Sequence, residues 1–473
     1  MALVDARLSR LNDREERKGR YVLYWMQQSQ RTEYNDALNV AIREANRLDL
    51  PLVTVFGLTD AYPDANLRHF HFMLEGLQEV EQSLGRRGIG LVVRLGNPPE
   101  VALNLGHDAA LIVCDMGYTR HQREWRDKVA READCRVLQV ECDAVVPVAL
   151  VSDKAEYAAR TIRPRIARHQ ERFLVLPRSP ALKQRVPDPE IPGLSLEDMA
   201  DVLSRLDIDR SVAPVTPFFK GGTREAKKRL RRFISDRLAR YDDHRNQPQT
   251  DDVSHMSPYL HFGQISPVYL ALKIKEAREG QGIDRAAYLE ELIVRRELAI
   301  NFVWYTPDYD RYAALPEWAR KTLAEHAPDP RPRCYDRETL EAAETPDPYW
   351  NAAMREMRTT GFMHNYMRMY WGKKILQWSA TPEEAFVTAL SLNNKYFLDG
   401  RDPNSYAGVA WVFGRHDRGW PERPIFGKIR YMAAAGLERK CDIQAYVKKI
   451  AARERAAATF SNTPFTQGHP KDA

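Results

Sequence analysis

YVLYWM, residues 21–26, is the first of five short apolar runs that decide the fold class of this chain. The later runs are PLVTVF (51–56), IGLVVRL (89–95), ALIVC (110–114) and RVLQV (136–140). Segments with helical spacing of apolar residues, such as residues 34–48 and 69–86, lie between them. Alternation of strands and helices predicts a parallel sheet with helices on both faces. We therefore expect a Rossmann-like α/β N-terminal domain over residues 20–145, behind a charged leader at residues 1–19.

The chain changes character twice after this domain. Residues 146–221 are rich in proline and are predicted to form a long interdomain connection. Residues 222–460 show helical spacing without strand alternation, which predicts a larger all-α C-terminal domain. The helical stretches are residues 223–240, 266–279, 285–303, 349–358, 362–378, 382–392 and 442–457. The polar residues 461–473 are expected to be a loose tail.

Composition argues against several classes of protein. No run of about 18 apolar residues exists, so we expect no membrane span. The first 20 residues are charged and lack the apolar segment of a secretory signal. The five cysteines form no CxxC pair and their odd number suits reduced thiols, so we expect a cytoplasmic protein without a metal site. The net charge of +6 is mild, but KKRLRR at 227–232 and residues 401–430 concentrate positive charge.

SHMSPYLHFGQIS, residues 254–266, is the first of three motifs that indicate a binding site. Small hydroxyl residues ahead of a helix offer N–H and O–H groups to an anion, and phosphate suits such a site. An ordinary serine cap of a helix has the same local pattern. The residues alone leave both interpretations open.

A helix and a polar loop supply the second and third motifs. The helix is GFMHNYMRMYW, residues 361–371. Helical spacing puts three of its side chains on one face: Asn365, Arg368 and Met369. Arg368 is then either a surface residue whose stem covers apolar side chains or a buried cation that needs a carboxylate. The polar loop at residues 393–408 offers one at Asp399, and such loops often carry binding residues.

Three tryptophans, Trp350, Trp371 and Trp378, form a further pattern. The last two are seven residues apart and so lie on one face of a helix. A stripe of this kind is ordinarily hydrophobic core.

Together the three motifs resemble the photolyase and cryptochrome superfamily. SHMSPYLHFGQIS is similar to its flavin-phosphate loop, and GFMHNYMRMYW to the helix beside the isoalloxazine ring. LDGRDPNSYAGVAW, residues 398–411, is similar to the loop that holds the polar edge of that ring. With WGKKILQW upstream and HDRGW and GKIRYM downstream, it resembles class II rather than class I photolyases. The resemblance covers almost the whole chain.

The resemblance implies light-driven repair of cyclobutane pyrimidine dimers in DNA. Such a dimer has no acid- or base-labile bond, so its splitting needs an electron, which excited, fully reduced FAD would give and recover. We expect one non-covalent FAD in the helical domain. The residues implied to bind it are Tyr241, Ser254, His255, Met256, Ser257, Arg296, Asn365, Arg368, Asp399 and Asp402. Asn393 is expected to face the flavin N5, and Arg368 with Asp399 to balance the charge of the reduced ring.

The implied substrate is DNA whose pyrimidine dimer has left the double helix. A dimer is poorly stacked, so flipping it costs less than flipping normal bases. Met369 and Trp411 are expected to form apolar walls, and Glu291 to hydrogen-bond a dimer carbonyl as a neutral carboxyl favoured by burial. Salt-sensitive contacts to phosphate are expected from three arginines, with one tryptophan as a stacking surface: Arg245, Arg418, Arg430 and Trp420. Each arginine is equally consistent with a solvated face.

One segment, EELIVRRE at residues 290–297, departs from the family. Many relatives have a tryptophan about where Arg295 lies, so the Arg295 guanidinium packs there or Trp411 takes over its task. The alignment is uncertain by one position, and Glu291 is chosen over Glu290 and Glu297.

The tryptophans gain a second role from the resemblance. Trp371 and Trp350 would relay electrons from the surface to reduce oxidised FAD, with Trp378 as a third member and the order left open. The α/β domain is expected to hold an antenna chromophore of the deazaflavin or folate type, which no motif identifies.

Other functions use the same features. A blue-light receptor of the cryptochrome type shares the fold and FAD but often has a long C-terminal extension, and this chain stops about fifteen residues after its last helical stretch. A light-independent flavin electron-transfer protein and a non-enzymatic nucleic-acid binder are further alternatives. We expect a monomer that acts on dimer-containing DNA without a membrane or an obligate protein partner.

Overall fold

The computed structural model describes residues 4–184 and 191–461, with side chains described to residue 458. Its N-terminal unit contains a six-stranded sheet. The strands are β1 Leu8–Arg10, β2 Tyr21–Trp25, β3 Leu52–Leu58, β4 Gly90–Leu95, β5 Ala109–Asp115 and β6 Arg136–Val140. Their order is β1-β6-β5-β2-β3-β4, with β1 antiparallel to β6 and every other pair parallel. The α/β fold class is confirmed, and the predicted charged leader contributes the edge strand β1.

Helices bury both faces of this sheet. All five residues of β2 are buried, and they alternate between two cores, with Tyr24 in one and Trp25 in the other. The covering helices are α1 Asp36–Leu48 and α2 Leu67–Gly85 on one face, and α3 Pro98–Gly106 and α4 Arg120–Glu132 on the other. Because β3 and β5 flank β2 on opposite sides, the chain reverses its direction across the sheet there. Ligands bind at such a point, outside the carboxyl ends of the strands.

The remainder of the described chain is helical. Its helices are α5 Val148–Val151, α6 Ala159–Phe173, α7 Met199–Ser204, α8 Thr223–Asp236, α9 Tyr241–His244, α10 Ser257–His261, α11 Pro267–Lys275, α12 Gly282–Leu289, α13 Arg296–Tyr305, α14 Glu317–Glu325, α15 Arg337–Ala342, α16 Pro348–Thr360, α17 Asn365–Trp378, α18 Pro382–Tyr396, α19 Pro403–Val412, α20 Ala434–Lys440 and α21 Ile443–Ser461. Single 3₁₀ turns occupy Leu238–Arg240 and Tyr312–Ala314. Within the described residues, no helix is both long and apolar enough to cross a membrane.

A π-helical turn, Glu290–Arg295, joins α12 to α13. Because such a turn widens the helix by one residue, it changes the direction of the side chains on it, and π turns are frequent at functional sites. The sequence predicts one uninterrupted helix over residues 285–303. The turn falls on the segment that departs from the family pattern.

Residues 146–221, predicted as a connection, contain α5, α6 and α7. The apolar face of α6, with Ile162, Ile166 and Phe173, packs into the core of the helical unit. This part of the segment is therefore a packed helix of the helical unit and not only a connection between the two units. The prolines at 187 and 189 lie outside the described residues, as does the predicted tail after Ser461.

Candidate functional site

A cavity of about 660 Å³ lies in the helical unit, and we call it the main cavity. Its size falls in the range of sites that hold cofactor-sized ligands. All three sequence motifs and the π-helical turn contribute to its walls. The predicted residues that line it are Tyr241, Arg245, Ser254, His255, Met256, Ser257, Glu291, Arg295, Asn365, Arg368, Met369, Trp371, Asn393, Asp399, Trp411 and Arg430.

The loop before α10 forms one wall. The Tyr288 hydroxyl donates a hydrogen bond to Ser254 Oγ (2.9 Å). His255 has φ of 55°, which is uncommon for a residue other than glycine, and its Nε2 lies 3.2 Å from Asp251 Oδ1. Its Nδ1 is buried and has no partner among the described residues. Buried polar atoms are normally hydrogen-bonded, so we expect a ligand to supply the missing partner of His255 Nδ1.

An ion pair between Arg368 and Asp399 forms another part of the wall. Arg368 Nη2 lies 3.0 Å from each carboxylate oxygen of Asp399, and Nε donates to the Met363 carbonyl (3.0 Å). The guanidinium carbon also lies 3.8 Å from the centre of the Phe397 ring, a cation–π contact. Of the two interpretations of Arg368, the paired cation is the correct one. This pair brings a fixed positive group and a fixed negative group to the cavity wall.

The next part of the wall contains Asn393, Met369 and Trp411. Asn393 Nδ2 donates to Asn394 Oδ1 (3.0 Å), which fixes the orientation of the amide. Lys373 lies behind Trp411, with its ammonium 5.2 Å from the ring centre and donating to the Val412 carbonyl. Burial lowers the pKa of Lys373 to about 7. Lys373 was missed in the sequence, although it is one helical turn after Met369.

Glu291 stands at the mouth of the cavity. Of the three glutamates in its segment it is the one that lines the cavity: Glu290 pairs with Arg163 and Arg295, and Glu297 accepts from the Val145 and Val146 amides. The geometry therefore favours Glu291 in the alignment. The expected burial of this carboxyl is wrong, because its side chain is 40% exposed and paired with Arg245 Nη1 at 3.1 Å.

Two predicted cofactor residues, Arg296 and Asp402, do not line the main cavity. Both face a pocket of about 10 Å³ between the two units, room for about one water molecule. Arg296 donates to the Asp143 carbonyl of the α/β unit, and Asp402 lies 3.4 Å from His261 Nδ1. Arg296 directly follows Arg295 and Asp402 lies two positions before Asn404, both of which line the main cavity, and the turn of the backbone directs Arg296 and Asp402 to the other side.

The three tryptophans form a chain that starts at the main cavity. Trp371 lines it, and Trp350 Nε1 donates to the Trp371 carbonyl (3.0 Å). The rings of Trp350 and Trp378 have centres 5.5 Å apart, and Trp378 meets the half-exposed Tyr335 at 5.4 Å. The geometry gives the order Trp371, Trp350, Trp378 from the cavity outward.

A loop over residues 416–430 carries the remaining predicted residues. Arg430 pairs with Asp417 (2.9 Å) and lies over the rings of both Trp420 and Trp411, while Arg418 lies over Trp420. Arg430 reaches the main cavity, whereas Arg418 and Trp420 do not line it. The loop therefore places an arginine and aromatic stack beside the cavity mouth.

A second cavity, of about 80 Å³, lies at the carboxyl ends of β2 and β3. Its wall is mainly apolar and also includes Arg401 from the helical unit. Several buried polar atoms on its wall have no partner among the described residues: Trp25 Nε1, Gln27 Nε2 and Oε1, Gln30 Oε1 and Arg401 Nε. A ligand with polar groups on an aromatic frame would satisfy such atoms. The sequence did not predict this cavity, because its wall is assembled from six segments that are far apart in the chain.

Comparison with known proteins identifies relatives over nearly the whole chain. A family model described as DNA photolyase matches residues 22–189. A deoxyribodipyrimidine photo-lyase of Methanothermobacter thermautotrophicus is 50% identical over 446 residues, 94% of this chain and 98% of the relative. One from Arabidopsis thaliana is 40% identical, over 91% of this chain and 88% of the relative.

Solved structures share the fold at low identity. A class III photolyase of Agrobacterium tumefaciens has a TM-score of 0.73 at 18% identity, covering 94% of this chain and 91% of the other. An archaeal photolyase of Sulfolobus tokodaii, solved with two FAD molecules, has a TM-score of 0.68 at 16% identity, covering 94% of each chain. A cryptochrome of Synechocystis has a TM-score of 0.69 at 16% identity, covering 90% and 88%.

Proposed function

Because this chain belongs to the DNA photolyase family, we propose that it is a class II photolyase, which uses light to repair cyclobutane pyrimidine dimers in DNA. Four deoxyribodipyrimidine photo-lyases are 39–50% identical to it, whereas four others are 25–29% identical. The chain thus groups with one set of these enzymes. The sequence of residues 401–411 resembles that of class II photolyases, which supports the class II assignment.

The Arg368–Asp399 pair in the wall of the main cavity is the observation that carries this proposal. A cofactor such as FAD offers phosphates and a ring with polar edges. The main cavity offers hydroxyls at Ser254 and Ser257, an unpartnered buried Nδ1 at His255 and an unpartnered buried Nε1 at Trp371. These residues fit FAD.

When bound in its reduced form, FAD would supply under light the single electron that opens a cyclobutane ring, and would be the acceptor for its return. The protein positions the two molecules and sets their electrostatic surroundings. Arg368 offers a fixed cation to the reduced ring, and Asp399 holds the guanidinium in place. The Asn393 amide is neutral and does not transfer a proton, so the flavin ring beside it would not have to become protonated.

The mouth of the main cavity would hold the flipped pyrimidine dimer. Met369 and Trp411 offer apolar surface to the bases and exclude water. Glu291 lies where it could accept a hydrogen bond from the N–H of a base or, once protonated, donate one to a carbonyl. Arg245 holds Glu291 at the mouth before DNA arrives.

The three tryptophans would carry electrons to oxidised FAD and return it to its reduced form. Indole is the most readily oxidised of the neutral aromatic side chains. The hydrogen bond from Trp350 to the Trp371 backbone carbonyl and the ring contacts from Trp350 to Trp378 and from Trp378 to Tyr335 support stepwise transfer from the surface to the main cavity.

The second cavity would hold a light-harvesting chromophore with an aromatic frame. Its unpartnered polar atoms support a ligand of that kind, and the position at the carboxyl ends of the strands is typical of ligand sites in such sheets. A solved relative contains a second FAD, which its authors interpret as a light-harvesting cofactor. A deazaflavin or folate would also be of suitable chemistry.

We infer a monomer that needs only dimer-containing DNA. Arg430, Arg418 and Trp420 lie beside the cavity mouth, which supports phosphate contacts and stacking there.

The five cysteines form no disulfide, which supports a reducing compartment such as the cytoplasm.

The rival function is a blue-light receptor with the same fold. The test uses the full-length FAD-containing protein and plasmid DNA that carries pyrimidine dimers. We expect dimers to disappear under blue light and to persist in the dark, as counted with a dimer-specific endonuclease. Persistence of the dimers under light would favour the receptor, and a purified protein without flavin absorption after reconstitution would remove both.

A further inference from the structure

Helix α6 has an unusual charge distribution. Its 15 residues carry one acid, Glu171, and five arginines: Arg160, Arg163, Arg165, Arg168 and Arg172. No acidic residue occupies the first turn, although negative charge there stabilises a helix and positive charge opposes its macrodipole. The helix therefore accepts an unfavourable arrangement at its N-terminal end. Such an arrangement is expected when the cations serve binding rather than folding.

Contacts on one side of α6 connect it to the mouth of the main cavity. Arg163 makes two hydrogen bonds to the Glu290 carboxylate, at 2.7 and 3.1 Å. Glu290 lies 3.3 Å from Arg295, which lines the main cavity. The first turns of α6 thus lie directly beside the π-helical turn that carries Glu291 and Arg295.

Contacts ahead of α6 connect it to the loop over residues 416–430. The Tyr157 hydroxyl donates to the Asp417 carbonyl (3.1 Å), and His416 Nδ1 donates to the Tyr157 carbonyl (2.8 Å). Asp417 in turn pairs with Arg430. The N-terminal end of α6 and the residues just before it therefore contact two segments at the mouth: the π-helical turn and the loop over residues 416–430.

The charges on this surface are only partly neutralised by the protein, since Arg163 pairs with Glu290 and Arg165 with Glu156. Arg160 is exposed and has no carboxylate partner among the described residues. Arg163 is 46% exposed and shares its partner, Glu290, with Arg295, so two cations face one carboxylate. The surface has a net positive charge and available donors.

We propose that Arg160 and Arg163 of helix α6 bind the phosphate backbone of the DNA duplex next to the flipped dimer. The proposal rests on the proposed function, because it needs DNA at the cavity mouth. Phosphate is the partner that suits exposed guanidinium groups with free donors. A duplex whose damaged bases enter the main cavity must pass its backbone beside the mouth, and the first turns of α6 lie next to the π-helical turn at that mouth.

The chain contains a matched control on helix α8. Arg231 and Arg232 are exposed there, and Arg232 has an acidic partner, Asp236, at 3.5 Å. Their helix pairs with Glu33 and Glu79 of the α/β unit rather than with residues at the mouth. The double variant Arg231→Ala/Arg232→Ala thus removes the same charge as Arg160→Ala/Arg163→Ala, away from the proposed DNA.

The experiment measures the affinity of the FAD-containing protein for a duplex with one pyrimidine dimer, at several salt concentrations. In Arg160→Ala/Arg163→Ala we expect the slope of log affinity against log salt to fall by about 1–2, with roughly fivefold weaker binding per lost contact near 0.15 M salt. The control variant should keep the wild-type slope. Arg160→Lys should keep most of the slope, because a phosphate contact needs the charge rather than the shape.

A wild-type slope in Arg160→Ala/Arg163→Ala, or an equal loss in the control variant, would overturn the proposal. Light-driven repair of the isolated dimer dinucleotide by the wild-type protein tests the proposed function separately, because that substrate has no flanking duplex. Failure of the dinucleotide assay therefore counts against the photolyase assignment, and failure of the salt experiment counts against α6 alone.

Discussion

Glu291 and Arg245 together decide how the mouth of the main cavity can hold a substrate. Their ion pair keeps a carboxylate in place while leaving 40% of its side chain exposed. A pyrimidine dimer that enters would cover this carboxylate and compete with Arg245 for it. In the proposed function Glu291 therefore contacts the substrate, whereas the Arg368–Asp399 pair contacts the cofactor.

We predict that Glu291→Ala weakens the binding and repair of dimer DNA while leaving the FAD content unchanged. Loss of one hydrogen bond to a buried partner should weaken dimer binding by about 1–3 kcal/mol. Glu291→Gln keeps a donor and an acceptor, so it should retain part of the wild-type affinity and repair yield. The measurements are flavin absorbance per protein and the repair yield at limiting substrate. Loss of flavin in Glu291→Ala would reassign this glutamate to the cofactor.

Lys373 should make the stability of the protein depend on pH. Burial lowers its pKa to about 7 in the folded state, from about 10.5 when exposed. The unfolded chain then binds more protons between about pH 7 and 10.5, so the free energy of unfolding rises with pH over that window and is lowest, with respect to this group, below pH 7. We predict that Lys373→Met raises the free energy of unfolding at pH 7 by about 1–3 kcal/mol, after the loss of the bond to Val412 is included. Denaturant unfolding at pH 7 and 9.5 checks this, and equal pH slopes in the two proteins would refute it.

At the scale of elements, α16 and α17 hold the tryptophan chain. Trp350 and Trp378 come from two helices and meet because those helices pack side by side. The residues of the proposed electron relay are therefore also part of the hydrophobic core. Light-driven reduction of the cofactor separates the two roles.

We predict that Trp350→Phe and Trp371→Phe lose photoreduction of oxidised FAD but keep repair once dithionite has reduced the flavin. The electron used in repair returns to its donor, so the relay is needed only for loading. Trp318→Phe is a suitable control, because Trp318 packs against the same core but lies outside the chain of rings. If both variants photoreduce FAD at the wild-type rate, the tryptophans belong to the core alone.

The elements also show what sequence reasoning can and cannot reach. The five core strands were predictable because each is a continuous apolar run, whereas β1 has three residues inside a charged segment and owes its existence to pairing with β6. Helix α19 begins inside the segment predicted as a polar loop, although Asp402 as its cap followed by Pro403 is a helix-start signal. The π turn has no known sequence signal in this chain. The Arg368–Asp399 pair spans 31 residues and depends on how two helices pack, so the sequence could suggest it but not establish it.

At the scale of the whole molecule, α2 of the α/β unit holds the loop that ends in Asp399. The Arg68 guanidinium donates to the carbonyls of Met357 (3.2 Å) and Tyr396 (2.8 Å), and Asn66 Nδ2 donates to that of Lys395 (2.7 Å). Burial lowers the pKa of Arg68 to about 10. The α/β unit thus positions the Asp399 side of the main cavity from outside.

We predict that Arg68→Met lowers the free energy of unfolding by about 2–5 kcal/mol and weakens FAD binding. The variant leaves several buried carbonyls without a donor, and each costs about 1–3 kcal/mol before relaxation. Thermal unfolding of the FAD-free protein and FAD titration by fluorescence measure the two effects. Destabilisation without a change in FAD affinity would limit Arg68 to a structural role.

The central claim is that reduced FAD in the main cavity opens pyrimidine dimers without net consumption of electrons. Its most direct test follows absorbance in one sample of chemically reduced protein, with a dimer-containing oligonucleotide in severalfold excess and no added electron donor during illumination. We predict that the thymine band returns under blue light until more dimers have been split than there are flavins, while the flavin spectrum stays reduced. No return of the thymine band, or a return that stops at one dimer per flavin as the flavin becomes oxidised, would contradict the account.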